Sequence, residues 1–238
     1  MDRITPGQRP PGRNAGTQSW RDLLFVHWEV PVDVLRPHIP TRLSIDTFEG
    51  RAWLGLVPFA MQSIRPRWLP QFMALDFLET NLRTYVHLEG DQPGVWFFSL
   101  EASSWLAVTA ARLGWALPYH HATMTCTRDG DRFDYETVRR REPAVAKASW
   151  TVGPEIGASA PGTVEHFLLE RYLLYAEKKG QLYRGQVHHP PYVAREAELH
   201  RFDESIAAAA GLPAFTHPPA FVHACDGVDV EVFAIEPV

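Results

Sequence analysis

Alternation of apolar and polar residues with a period of two recurs along this chain, and it limits the fold to a sheet whose strands are joined by short turns. In LLFVHWEV (residues 23–30), Leu24, Val26, Trp28 and Val30 share one face, and Phe25, His27 and Glu29 share the other. Residues 42–61 read as a hairpin about Glu49-Gly50. Strands at 79–88 and 95–101 are joined across Gly90-Asp91-Gln92-Pro93-Gly94, and a further hairpin spans 121–138 about Asp129-Gly130-Asp131. Strands near 182–188 and 228–235 finish the chain. The period changes in three places. A short helical turn follows Asp33. Residues 104–117 repeat Leu106, Ala110, Leu113 and Leu117 at helical spacing. Residues 164–179 read as a longer helix with Thr163 as N-cap, Lys178 and Lys179 at its negative end, and Gly180 as a left-handed cap. Strands outnumber helices, so the fold class is α+β, mainly antiparallel β, with a few flanking helices.

At 238 residues the chain is long enough for one large core. We expect a flexible N-terminal tail over residues 1–18 and a single domain over 19–238. The net charge of −5 gives no electrostatic reason to expect nucleic acid, even at Arg139-Arg140-Arg141. No run of 18 apolar residues occurs, and no apolar stretch follows the early arginines, so neither a membrane partner nor a signal peptide is expected. The two cysteines, Cys126 and Cys225, are far apart and read as buried thiols of a reducing compartment, which gives a cytoplasmic expectation.

The segment Glu79–Leu88 is the most informative for function. Leu82, Thr84, Val86 and Leu88 share one face, and Glu79, Asn81, Arg83, Tyr85 and His87 share the other. That second face is either the solvated side of a sheet or the lining of a cavity, where a desolvated carboxylate, guanidinium and phenol require partners or a polar ligand. His120-His121 and His188-His189 are doublets, and neighbours on a strand point to opposite sides. Each therefore supplies at most one inward imidazole, and no metal is expected. No phosphate loop and no Gly-x-Ser-x-Gly elbow is present, and no cofactor is expected.

Taken in order, WRDLLFVHWEVPVDVLRPHIP, DTFEGRAWLGLVPFAM, LETNLRTYV, GVWFFSLEAS, ARLGWALPYHHA and GVDVEVF resemble the YqjF-like family of uncharacterised proteins. That family is similar to acetoacetate decarboxylase, so the resemblance implies a β-cone or barrel around a buried cavity and allows a homo-oligomer. Carried over residue by residue, the decarboxylase's first-strand arginine matches Arg21 and its active-site glutamate matches Glu79. Its Schiff-base lysine, the first of a Pro-Lys-Lys motif, is replaced: here the motif reads Pro118-Tyr119-His120. A phenol cannot form an imine, and the chain's three lysines, Lys147, Lys178 and Lys179, lie elsewhere in the sequence.

Three readings follow. In the first, the chain binds a small carboxylate or keto-type molecule through Arg21, Asn81, Arg83 and Tyr85, alongside Glu79, Tyr119 and His120. In the second, it is an enzyme without a Schiff base, with Tyr119, His120 and Glu79 performing acid–base work. In the third, it is a structural or interaction protein with a filled cone.

Overall fold

The computed structural model describes residues 1–109, 117–215 and 217–238. Thirteen strands are present among them: β1 (Gly16–Val30), β2 (Leu43–Ile45), β3 (Ala52–Pro66), β4 (Leu75–Leu88), β5 (Asp91–Ala102), β6 (Tyr119–Asp129), β7 (Arg132–Arg139), β8 (Val145–Ala158), β9 (Leu173–Lys178), β10 (Gln181–His188), β11 (Val193–Glu204), β12 (Phe221–Val232) and β13 (Glu236–Pro237). They form one sheet in the order β13-β10-β9-β5-β6-β7-β8-β11-β12-β1-β3-β4-β2. It curls back on itself, because β5 also pairs with β4 and β10 with β12. Among the described residues only β5–β6 and β5–β9 are parallel. Among the described residues no helix is long and apolar enough to cross a membrane.

The tight hairpins have the local chemistry such turns need. Leu88 pairs with Asp91 across Glu89-Gly90, and Lys178 with Gln181 across Lys179-Gly180. All four turn residues have positive φ, which the two-residue turns matching strand twist require. Between β6 and β7 only Gly130 is left-handed.

Several expectations are corrected. The helix expected over 164–179 is one short helix, Val164–Leu169, followed by β9. Thr163 does cap it, accepting from the His166 N–H at 3.2 Å. Gly180 is left-handed, but it closes a hairpin instead of capping a helix. The hairpin expected over 42–61 reduces to a single bridge, Phe48–Arg51, while β2 pairs with β4. Of the helix expected over 104–117, residues 105–109 are helical and 110–116 lie outside the described residues. The segment expected to be a flexible tail is tied to the sheet: Arg9 pairs with Glu231 at 2.6 Å and Gln186 donates to the Pro6 carbonyl at 3.0 Å.

β1, β3 and β4 are buried on both faces, so the sheet has two apolar sides. One side joins Leu24, Val26, Trp28, Leu54, Leu56, Leu82 and Val86 to Phe133, Tyr135 and Trp150 of β7 and β8 and to Leu35 and Ile206 of short helices. Phe133 and Trp150 stack with ring centroids 5.0 Å apart. The other side, with Leu23, Phe25, Val57, Phe59, Met61 and Phe77, surrounds the cavity described next.

Candidate functional site

β4 supplies the polar row. Glu79, Asn81 and Arg83 are 3%, 6% and 8% exposed, and all three line a cavity of about 760 Å³. Their neighbours across the sheet explain the desolvation. Glu79 lies between Phe59 and Ala102, Asn81 between Val57 and Leu100, and Arg83 between Gly55 and Phe97. Same-face residues on a strand are roughly 7 Å apart, so the three groups form a ladder along one wall.

At the first rung, the Tyr119 hydroxyl donates to Glu79 Oε2 at 2.8 Å. Tyr119 reaches it because β6 runs parallel to β5 with Tyr119 opposite Leu100. Burial lifts the Glu79 carboxyl to about 8, against the Tyr119 hydrogen bond and with help from nearby Glu101. Burial first, then the charge of Glu79, pushes the Tyr119 phenol well above its usual range. At neutral pH the pair is therefore a neutral carboxylic acid and a neutral phenol.

At the second rung, Asn81 Oδ1 is buried without a hydrogen-bond partner. At the third, the Arg83 guanidinium lies 5.7 Å from the Phe25 ring centre and donates weakly to the Leu168 carbonyl at 3.5 Å. Its Nε has no partner, and among the described residues no carboxylate lies within ion-pair distance of it. Buried donors and acceptors are normally satisfied, yet three residues that line this cavity, Asn81, Arg83 and Arg171, each carry a buried polar atom without a partner.

Two expected binding residues do not line the cavity. Arg21 turns outward, where it pairs with Asp229 and donates to the Val228 carbonyl at 2.8 Å. Left-handed Asp22 follows it, and the β1–β3 register shifts between Arg21 and Val26, so the strand's alternation does not carry through to Arg21. Trp20 lines the cavity instead. Tyr85 is fully buried, where it donates to the Leu168 carbonyl at 2.8 Å and shares a 2.8 Å hydrogen bond with His27 Nε2. Burial keeps His27 well below the ordinary histidine range, so its neutral ring donates from Nε2. His120, next to Tyr119 on β6, does not line the cavity with it.

Sequence reasoning missed Arg171. It lines the cavity, pairs with Asp46 at 2.9 Å, donates from Nε to the Phe167 carbonyl at 2.8 Å, and stacks 4.2 Å from the Phe167 ring centre. Beside it, the Glu170 carboxylate accepts from the Tyr172 hydroxyl and, at 3.0 Å, from the Tyr192 N–H. The adjacent opposite charges inside the apolar run FLLERYLLY were the available signal. None of the three lysines lines the cavity, and Lys147 pairs with Glu136 at 2.5 Å. Among the described residues no group of three or more His, Cys, Asp or Glu is placed to hold a metal ion.

The family model DUF2071, described as an uncharacterized conserved protein, matches residues 17–229. The uncharacterized protein YqjF of Bacillus subtilis (strain 168) is 37% identical over 197 residues, covering 82% of this chain and 81% of that protein. Among solved structures, the enduracididine biosynthesis enzyme MppR complexed with pyruvate superposes with a TM-score of 0.66 at 14% identity, covering 97% of this chain and 91% of that one. An acetoacetate decarboxylase superposes with a TM-score of 0.65 at 16% identity, covering 96% and 90%. At such identities the likeness is one of fold, and the fold is the acetoacetate decarboxylase-like one.

Proposed function

Because the chain belongs to the DUF2071 family of uncharacterized conserved proteins, membership brings no activity with it, and we propose from the cavity itself that this protein binds a small molecule through its carboxylate or carbonyl oxygen, without forming an imine. The observation that carries this reading is Arg83: a buried guanidinium facing a cavity, with an unpartnered Nε and no counter-charge among the described residues. A buried cation without a partner is costly, and an anionic ligand relieves that cost with charge-assisted hydrogen bonds. Asn81, one rung away, also lines the cavity and offers its amide to the same ligand. A structure of a protein on the same fold complexed with pyruvate supports a carboxylate as the recognised group. Imine chemistry lacks its nucleophile, since Tyr119 stands at the lysine's place and no lysine lines the cavity.

The test is calorimetric titration with pyruvate, acetoacetate and simple monocarboxylates, each beside its neutral amide, on the parent protein and on Arg83→Gln. The acids bind, the amides do not, and Arg83→Gln weakens the acids by about 10- to 100-fold, as expected for charged hydrogen bonds. Equal binding of acid and amide overturns the reading. A second reading, an acid–base enzyme, is favoured by one observation, the Tyr119–Glu79 hydrogen bond around a carboxyl that titrates near pH 8. Turnover of a bound ligand that collapses by about 10²-fold or more in Tyr119→Phe, with binding retained, selects it.

A further inference from the structure

The volume and wall chemistry of the cavity exceed what a keto acid of three or four carbons needs. Its volume of about 760 Å³ lies within the range that houses drug-sized ligands, roughly 300–1,000 Å³. Pyruvate displaces about as much as three or four waters, ~100 Å³ at ~30 Å³ each. Of the lining residues, Asn81, Arg83 and Arg171 each carry an unsatisfied buried polar atom, whereas Phe25, Val57, Phe59 and Phe77 are apolar and buried. The apolar lining also continues outward. Met73, Leu75 and Leu106 line the cavity and are at the same time exposed, with Trp68, Phe72 and Trp105 exposed in the same two segments. A short polar ligand would satisfy the Arg83 wall and leave this lining wet. A ligand with a carboxylate at one end and an extended apolar body would satisfy Arg83 and dry the rest.

We propose that the ligand is an amphipathic carboxylate, with its head on Arg83 and Asn81 and a hydrocarbon or aryl body of on the order of ten carbons running between the apolar walls toward Leu75 and Leu106. This rests on the preceding reading that Arg83 receives a carboxylate, and adds to it the nature of the rest of the molecule. The length follows from burial: each methylene taken out of water tightens binding about fourfold, for as long as wall remains to cover it.

The test is calorimetry with butanoate, hexanoate, octanoate, decanoate and dodecanoate, each below its micellar concentration, beside 1-octanol and 1-decanol. Affinity is expected to rise about fourfold per methylene through at least octanoate. Octanoate and decanoate are each expected to bind at least tenfold more tightly than the alcohol of equal length, a preference lost in Arg83→Gln. Val57→Phe narrows the wall and should lower the chain length at which affinity levels off. Should that variant fail to melt cooperatively, Leu100→Phe, on β5 at the other side of Asn81, tests the same wall. Acids that bind with no dependence on length overturn the amphipathic ligand and leave the carboxylate reading standing. A length dependence shared equally by alcohols, and unchanged in Arg83→Gln, overturns the carboxylate reading, and with it the orientation proposed here. A length dependence indifferent to both wall variants places the chain outside the cavity and overturns the proposal. No binding by any member overturns both.

Discussion

Replacing Glu79 by glutamine should change how the stability of this protein depends on pH. In the unfolded chain the carboxyl titrates at its ordinary 4.5, whereas in the fold burial holds its proton to about 8. Between those values the folded state binds one proton more than the unfolded state, so stability falls as pH rises. The loss is about 1.4 kcal/mol per pH unit across that span, or about 5 kcal/mol by pH 8 for a fully dry site. Water entering the cavity lowers that figure, yet even half of it is a large part of a typical folding stability of roughly 5–15 kcal/mol. Glutamine keeps the shape and the hydrogen-bonding capacity toward Tyr119 and does not titrate. Urea melts of the parent and Glu79→Gln at pH 5, 6.5 and 8 should show a difference in stability that grows with pH in favour of the variant. Tyr119→Phe removes the hydrogen bond that stabilises the ionised carboxylate, so its Glu79 should hold the proton to still higher pH. Parallel pH profiles for the parent and Glu79→Gln would refute the argument, because they would mean that Glu79 ionises as freely in the fold as in the unfolded chain.

Asp46→Ala should cost about 3–5 kcal/mol in urea melts, since it leaves the Arg171 guanidinium buried and uncompensated. Glu29→Ala, which breaks the exposed pair with Arg51, should cost under about 1 kcal/mol, and equal losses would contradict the role given to burial. Gly94→Ala should destabilise by about 1–3 kcal/mol, because a Cβ there would lie 2.7 Å from the Leu173 carbonyl oxygen across the parallel β5–β9 pairing; an unchanged melting temperature counts against that register. Borohydride with pyruvate or acetoacetate should leave the mass of the parent protein unchanged, and an adduct mapped to Lys147, Lys178 or Lys179 would refute the absence of a nucleophile. Tyr119→Lys should trap an adduct poorly at pH 7 and better as pH rises, because the new ammonium would lie beside Glu79 and be held protonated; efficient trapping at pH 7 would show that the ion pair does not form.

The polar row on β4 was legible because its alternation is unbroken from Glu79 to Tyr85 and a strand's side chains repeat every second residue. Arg21 came from the family resemblance and not from alternation, and left-handed Asp22 next to it accompanies its outward turn to Asp229. β8 escaped notice because Gly153-Pro154 lies within it, a pair that normally argues against a strand. β11 escaped because its partly buried face mixes Arg195 with Ala197 and Leu199, its exposed face carries Glu196 and Glu198, and a register shift between Leu199 and Arg201 breaks the alternation. The run FLLERYLLYAEKKG fits helical and strand periods alike, and what separates them is the tertiary pairing of β9 with β5 and β10. Arg171 was hidden by that misreading, since its role comes from the chain leaving the helix at Glu170 and bringing the guanidinium to Asp46.

Tyrosine at 119 does more than remove an amine. A lysine there would draw the proton from Glu79 and place a full carboxylate on the first rung of the same wall that carries Arg83. The phenol instead donates a neutral hydrogen bond, so burial prevails and the carboxyl stays protonated to about pH 8. Of the three residues on the β4 ladder, Arg83 is the one with a basic side chain, and its Nε remains unpartnered. Neutralising one end of the wall leaves the other end without an internal counter-ion. Tyrosine at 119 thus links two features that look separate in the sequence: the absence of an amine at that position, and a cavity where Arg171 is paired with Asp46 while Arg83 has no carboxylate within ion-pair distance among the described residues.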